Sequence, residues 1–78
     1  MTELVVPRWG LTMDEAVVAR WLKQEGDPVA VGEAVVEIET DKAIGEVESS
    51  VAGRIKRIVA PEGTTVKPGD VLAEIEVE

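Results

Sequence analysis

Along this chain valine, isoleucine, leucine and alanine alternate with charged residues in short runs such as "AVVARW", "AVVEIE", "GRIKRI" and "VLAEIEV". The runs are cut off every ten or so residues by "PRWG", "EGDP", "VGE", "TDKA", "SSVAG", "PEGT" and "KPGD". Clusters of Gly, Pro, Asp and Ser stop strands because they favour turn conformations. Alternation between such stops predicts eight strands, at about 3–6, 16–23, 28–30, 34–39, 44–49, 53–59, 64–67 and 71–77. One stretch, "TMDEAVVARWLKQEG", also has a capping-box-like start and some helical spacing. Its Val-Val pair and the strand-rich remainder decide for strand.

Shifting the chain by 37 residues lays "RWLKQEGDPVAVGEAVVEIE" (20–39) over "RIVAPEGTTVKPGDVLAEIE" (57–76). Eight of these twenty positions are identical: Arg20/Arg57, Glu25/Glu62, Gly26/Gly63, Val29/Val66, Gly32/Gly69, Glu37/Glu74, Ile38/Ile75 and Glu39/Glu76. Shared turn chemistry explains the glycines, but ungapped agreement over a quarter of the chain points to two halves of one pseudo-symmetric fold. Each half supplies four short strands, which predicts two small sheets sealing one another's apolar sides. In that symmetry the "TDKA" hairpin lies at one pole and the chain termini at the other.

Composition narrows the function. The 78 residues are read as one domain, 1–78, and a chain of this size buries only about 60% of its unfolded surface, too little for a deep catalytic cleft. There is no Cys and no His, which excludes a disulfide framework, a thiolate metal site and every His-based catalytic arrangement. The chain is therefore expected not to be an enzyme. Sixteen acidic against eight basic residues give a formal charge of −8, which argues against nucleic acid and anionic membranes and for solubility or a basic protein partner. No run of 18 apolar residues and no basic leader followed by an apolar segment is present.

Charge makes the middle hairpin, "EIETDKAIGEV" (37–47), the unusual place. A single lysine, Lys42, sits there among Glu39, Asp41, Glu46 and Glu48. Carboxylates favour the charged ammonium, whereas a catalytic lysine needs desolvation or a neighbouring cation to free its lone pair. Lys42 is thus expected to be inert alone and to react only when an enzyme accepts its proton, as suits a substrate for modification. An exposed hairpin lysine that discourages edge pairing is the plainer alternative. Trp21, aligned with Ile58 in the repeat, reads as a packing residue.

From "LVVPRWGLTMDEA" through "WLKQEGDPVAVGEAVVEIETDKA" to "GRIKRIVAPEGTTVKPGDVLAEI" the whole chain resembles the lipoyl domains of the 2-oxo acid dehydrogenase complexes. "ETDKA" is the most specific part of the match. The resemblance implies an all-β flattened barrel, a barrel-sandwich hybrid of two four-stranded antiparallel sheets with pseudo-two-fold symmetry. It implies lipoic acid in amide linkage to Lys42, on a swinging arm that shuttles acyl groups and reducing equivalents. Its implied partners are a lipoate ligase or lipoyl transferase, a thiamine-dependent 2-oxo acid decarboxylase component, an acyltransferase core and a flavin-dependent dihydrolipoyl dehydrogenase. By the same resemblance Asp41 and Ala43 are the flanks that cognate enzymes inspect, and Glu39 and Gly53 serve modification and partner recognition. Trp9, Thr12, Met13, Asp14 and Glu15, in the loop after the first strand, are candidate contacts. The chain is then a non-catalytic, monomeric domain of a larger dihydrolipoyl acyltransferase, expected in the bacterial cytoplasm or the mitochondrial matrix.

Two departures from the family pattern carry structural expectations. Ile44 and Gly45 follow "DKA" where a small or polar residue and then an apolar one are usual, so the strand is expected to bulge at Gly45 or Ile44 to turn inward over the gap. Ala16 stands where Gly is frequent. A biotin carrier shares the fold, but typically presents its lysine between two methionines, unlike "DKA". An unmodified β-sandwich adaptor is the other alternative. The "GLTM" loop suits pyruvate, branched-chain or acetoin systems alike.

Overall fold

The computed structural model describes residues 2–7, 15–40 and 44–77. These form β1 (Thr2–Val5), β2 (Ala16–Trp21), β3 (Pro28–Val29), β4 (Ala34–Glu39), β5 (Ile44–Glu48), β6 (Gly53–Ile58), β7 (Thr65–Val66) and β8 (Val71–Val77). Every strand expected from the alternation is present, within two residues at either end. The described residues contain no helix, so none is long and apolar enough to cross a membrane.

Two four-stranded antiparallel sheets result, in the orders β1-β8-β6-β3 and β5-β4-β2-β7. The 37-residue shift carries β2, β3 and β4 onto β6, β7 and β8, and β5 takes in its sheet the place that β1 takes in the other. Neither half makes a sheet by itself. Each sheet draws two strands from each half, because the turns after β2 and β6 cross over. Gly26 N–H donates to the Ile55 carbonyl at 2.7 Å, and 37 residues later Gly63 N–H donates to the Val18 carbonyl at 2.8 Å. Both glycines have φ near +90°, a backbone that L side chains resist. The interleaving locks the halves together, so the symmetric unit is the whole chain.

Bulges recur with the same symmetry. Register shifts between Val18 and Arg20 and between Ile55 and Arg57, and again where Val35 and Leu72 are the extra residues. An extra residue interrupts the two-residue period of a strand. Val35 and Val36 are therefore both fully buried, as are Leu72 and Ala73, whereas Ala19–Arg20 and Lys56–Arg57 are both exposed. The core lies between the sheets, with Val18, Ile38, Ile55 and Ile75 at its centre, and the molecule is flattened, 35 × 21 × 16 Å. Trp21 packs in that core, as its place in the repeat predicts, and its indole Nε1–H donates to the Ala60 carbonyl at 2.8 Å.

Glu25 and Glu62 brace the crossovers reciprocally. The Glu62 carboxylate accepts the Trp21 backbone N–H at 3.0 Å, and the Glu25 carboxylate accepts that of Ile58 at 2.9 Å. Each half thus satisfies a donor where a strand of the other half runs out.

Candidate functional site

β4 and β5 pair without a break towards their connection: Glu37 with Glu46, Ile38 with Gly45, and Glu39 with Ile44. Valine and isoleucine hold this hairpin down, since Val36, Ile38 and Val47 all face the core. The last pair, Glu39–Ile44, fixes the two ends of residues 40–43 on adjacent strands. The connection that contains Lys42 therefore joins two strands at the end of one sheet, while the chain ends leave the equivalent end of the other. Asp41, Lys42 and Ala43 themselves lie outside the described residues, as do Trp9, Thr12, Met13 and Asp14.

The bulge expected at Gly45 is absent, and Ile44 does not turn inward. Gly45 keeps regular register with the fully buried Ile38, and Ile44 points outward, 61% exposed. The irregularity of this strand pair lies instead at Val35. Antiparallel neighbours share a face, so Ile44 must stand beside exposed Glu39 rather than beneath the tip.

The site is acidic along its whole edge. Glu37 and Glu46 lie directly across from one another, and Glu39 and Glu48 are exposed beside them. Glu3, Glu46 and Glu48 line a shallow cleft of about 350 Å³ where the edge strands β1 and β5 meet. Among the described residues no cluster of three or more carboxylates is arranged to hold a metal ion.

Of the remaining candidates, Glu15 is exposed at the entry to β2. Gly53 is elsewhere: it is buried in the opposite sheet, paired with Val29 and Val77. A Cβ at Gly53 would overlap the Glu76 carbonyl oxygen of β8, so backbone approach alone requires glycine. Ala16, its counterpart in the repeat, starts β2 buried and paired with Val66. The structure therefore keeps Glu39 in the sheet that carries the hairpin, with Glu15 just before its strand β2, and places Gly53 at the corresponding end of the other sheet.

Comparison with known proteins bears on the chain's family. Residues 2–75 match the family model described as "Biotin-requiring enzyme". The chain is 45% identical over 75 residues to the dihydrolipoyllysine-residue succinyltransferase component of the 2-oxoglutarate dehydrogenase complex of Bartonella vinsonii subsp. berkhoffii, covering 96% of this chain and 18% of that protein. It is 42% identical over 76 residues to the dihydrolipoyllysine-residue acetyltransferase component of the pyruvate dehydrogenase complex of Rickettsia bellii, covering 97% and 18%. It thus spans less than a fifth of the length of these curated relatives. Among solved structures, the lipoyl domain of the dihydrolipoyl succinyltransferase component of the Escherichia coli 2-oxoglutarate dehydrogenase complex superposes with a TM-score of 0.80 at 37% identity, covering 97% of this chain and 95% of that one.

Proposed function

The chain belongs to the family of biotin- and lipoyl-bearing domains, and on that premise we propose that it is a lipoyl carrier domain, modified on Lys42, of a 2-oxo acid dehydrogenase complex. The observation that carries this reading is the unbroken β4–β5 pairing up to Glu39–Ile44. It leaves a four-residue connection, "TDKA", on a rigid base with its lysine as the one basic group. The solved neighbour quoted above is itself a lipoyl domain, which favours lipoic acid over biotin as the attached group.

Lys42 would hold lipoic acid by an amide bond at Nζ. When bound, lipoic acid supplies a dithiolane able to carry acyl groups and electrons between a thiamine-dependent decarboxylase component, an acyltransferase core and a dihydrolipoyl dehydrogenase. The protein's own contributions are positional and electrostatic. Paired strands fix the two ends of the connection that bears the attachment point, and exposed Glu39 and Glu46 near its base give visiting enzymes a charged surface to read. A flexible tether to the rest of such a complex would raise the effective concentration of the arm at each active site. Asp41 and Ala43 flank the modified residue, and the loop carrying Trp9, Thr12, Met13, Asp14 and Glu15 adds partner contacts. Gly53 acts through the fold, by admitting the close approach of β8.

Incubating the lipoylated domain with purified decarboxylase components, each with its own 2-oxo acid, tests this function. One component should transfer an acyl group to the domain, and Lys42→Arg should abolish the transfer. Failure with pyruvate, 2-oxoglutarate, branched-chain and acetoin systems alike would overturn the proposal.

A further inference from the structure

The cleft between β1 and β5 is built from symmetry mates. Glu3 pairs with Glu74, Leu4 with Ala73 and Val5 with Val71 in one sheet, as Glu46 pairs with Glu37, Val47 with Val36 and Glu48 with Ala34 in the other. The 37-residue shift carries Ala34, Val36 and Glu37 onto Val71, Ala73 and Glu74, so the residues across from them correspond as well. Glu3, Leu4 and Val5 line one wall of the cleft, and their own mates Glu46, Val47 and Glu48 line the other. The cleft therefore straddles the pseudo-two-fold axis, between the two poles rather than at the hairpin.

Both walls are outermost strands, each paired on one side only among the described residues. Each thus leaves a row of backbone N–H and C=O groups without a strand partner. Leu4 and Val47 are buried and close the floor. Proteins commonly guard such edges with bulges, proline or charge. Here the extra residues fall on the inner neighbours, at Leu72 and Val35, and neither β1 nor β5 is bulged. The β1 edge runs into Pro7, which has no N–H to give, whereas the corresponding residue of the other wall is Ser50. Charge separates the walls further, since exposed Val5 stands where exposed Glu48 stands on β5. β5 therefore carries two exposed carboxylates, Glu46 and Glu48, on either side of inward Val47.

This guard is selective. The carboxylates repel a second copy of the chain, whose formal charge is −8, and any other acidic strand. A strand that places Lys or Arg across from them is attracted instead. Alternate side chains of an added strand point to opposite faces. A segment with basic residues at every second position and aliphatic residues between them would meet Glu46 and Glu48 on one face and the floor of Leu4 and Val47 on the other. No described residue lining the cleft is basic, so the complementary charge must come from the partner.

We propose that the free edge of β5 takes an extended, Lys- or Arg-bearing segment of a partner protein as an added strand of its sheet, the mode by which peptides join open sheet edges. A segment of about five residues, the usual strand length, covers β5. The site goes beyond the carrier reading and does not depend on modification of Lys42.

The test is an NMR titration of the isotope-labelled full chain with the synthetic peptide acetyl-TKVKVKT-amide. Two control peptides accompany it: acetyl-TEVEVET-amide reverses the charge, and acetyl-TKPKPKT-amide keeps the charge but has prolines that cannot donate ladder hydrogen bonds. The basic valine peptide should give saturable shifts confined to residues 44–50 and 3–7 and should slow hydrogen exchange of β5 amides. Both controls should bind about tenfold more weakly or worse. The double variant Glu46→Gln/Glu48→Gln should lose about fivefold in affinity, as expected for two cross-strand charge pairs, while Glu76→Gln on the other sheet should bind as wild type does. Absence of saturable shifts, equal binding of the proline peptide, or shifts spread over carboxylates elsewhere would overturn strand addition at β5. None of those outcomes bears on attachment at Lys42, which intact mass reads separately.

Discussion

Glu62 reaches across the molecule to accept the backbone N–H of Trp21 at 3.0 Å, 41 residues away in sequence. That bond satisfies a partly buried donor at the end of β2. Removing the carboxylate in Glu62→Ala should cost about 1–2 kcal/mol of unfolding free energy, the usual penalty for a buried donor left without a partner. Glu25→Ala breaks the equivalent bond to Ile58, but that bond is exposed, and water replaces the acceptor. Urea unfolding of the two variants should show the larger fall in midpoint for Glu62→Ala; equal falls would mean that burial does not distinguish the braces.

Gly53 yields a prediction that separates fold from recognition. In Gly53→Ala the new methyl group meets the backbone carbonyl of Glu76, which cannot move without breaking the β6–β8 ladder. A loss of about 2 kcal/mol or more in stability should follow, of the size found for overpacked interiors. Thermal or urea unfolding measures it. If Gly53 acts through the fold, the folded fraction of Gly53→Ala should still be lipoylated at the wild-type rate. A normal stability with impaired lipoylation would assign Gly53 a direct contact with the ligase.

The strands and the hairpin were legible because each depends on local chemistry. Val, Ile and charged residues in alternation fix which face is buried, and "EGDP", "PEGT" and "KPGD" fix where each run ends. The repeat made the symmetry visible as well, down to Glu25/Glu62. What those glutamates bond could not be read, since the donors lie 33 and 41 residues away. The bulged Val35 and Leu72 were hidden for a related reason: a strict two-residue period has no place for an extra residue, so consecutive buried pairs look like noise. Ile44 and Gly45 misled because an inward glycine was expected to need cover, whereas the regular pairing with Ile38 simply carries Ile44 outward. That Glu46, Val47 and Glu48 are the symmetry mates of Glu3, Leu4 and Val5 emerges only once register is known.

Lys23 and Glu33 form an ion pair at 3.0 Å beside the β3–β4 turn, and Glu33 also accepts the Ala30 backbone N–H. The Lys23 hydrogen bond, with help from Ala30, holds the Glu33 carboxyl below its ordinary pKa. A depressed folded-state pKa stabilises the protein above the unfolded-state value, and that contribution disappears as pH falls through the folded-state value. Because the pair is solvent-exposed, the effect on stability is small, and NMR titration is the sensitive measurement. Lys23→Met should raise the Glu33 midpoint towards the ordinary carboxylate value. A midpoint unmoved by the substitution would show that the backbone bond alone sets it.

Attachment at Lys42 is the claim on which the functional account stands, and intact mass spectrometry after co-expression with lipoate ligase in medium containing lipoic acid tests it most directly. The account predicts a single lipoyl adduct on the wild-type chain, mapped to the peptide containing Lys42, and none on a folded Lys42→Arg variant. A wild-type chain without an adduct, or an adduct that persists in Lys42→Arg, would contradict it.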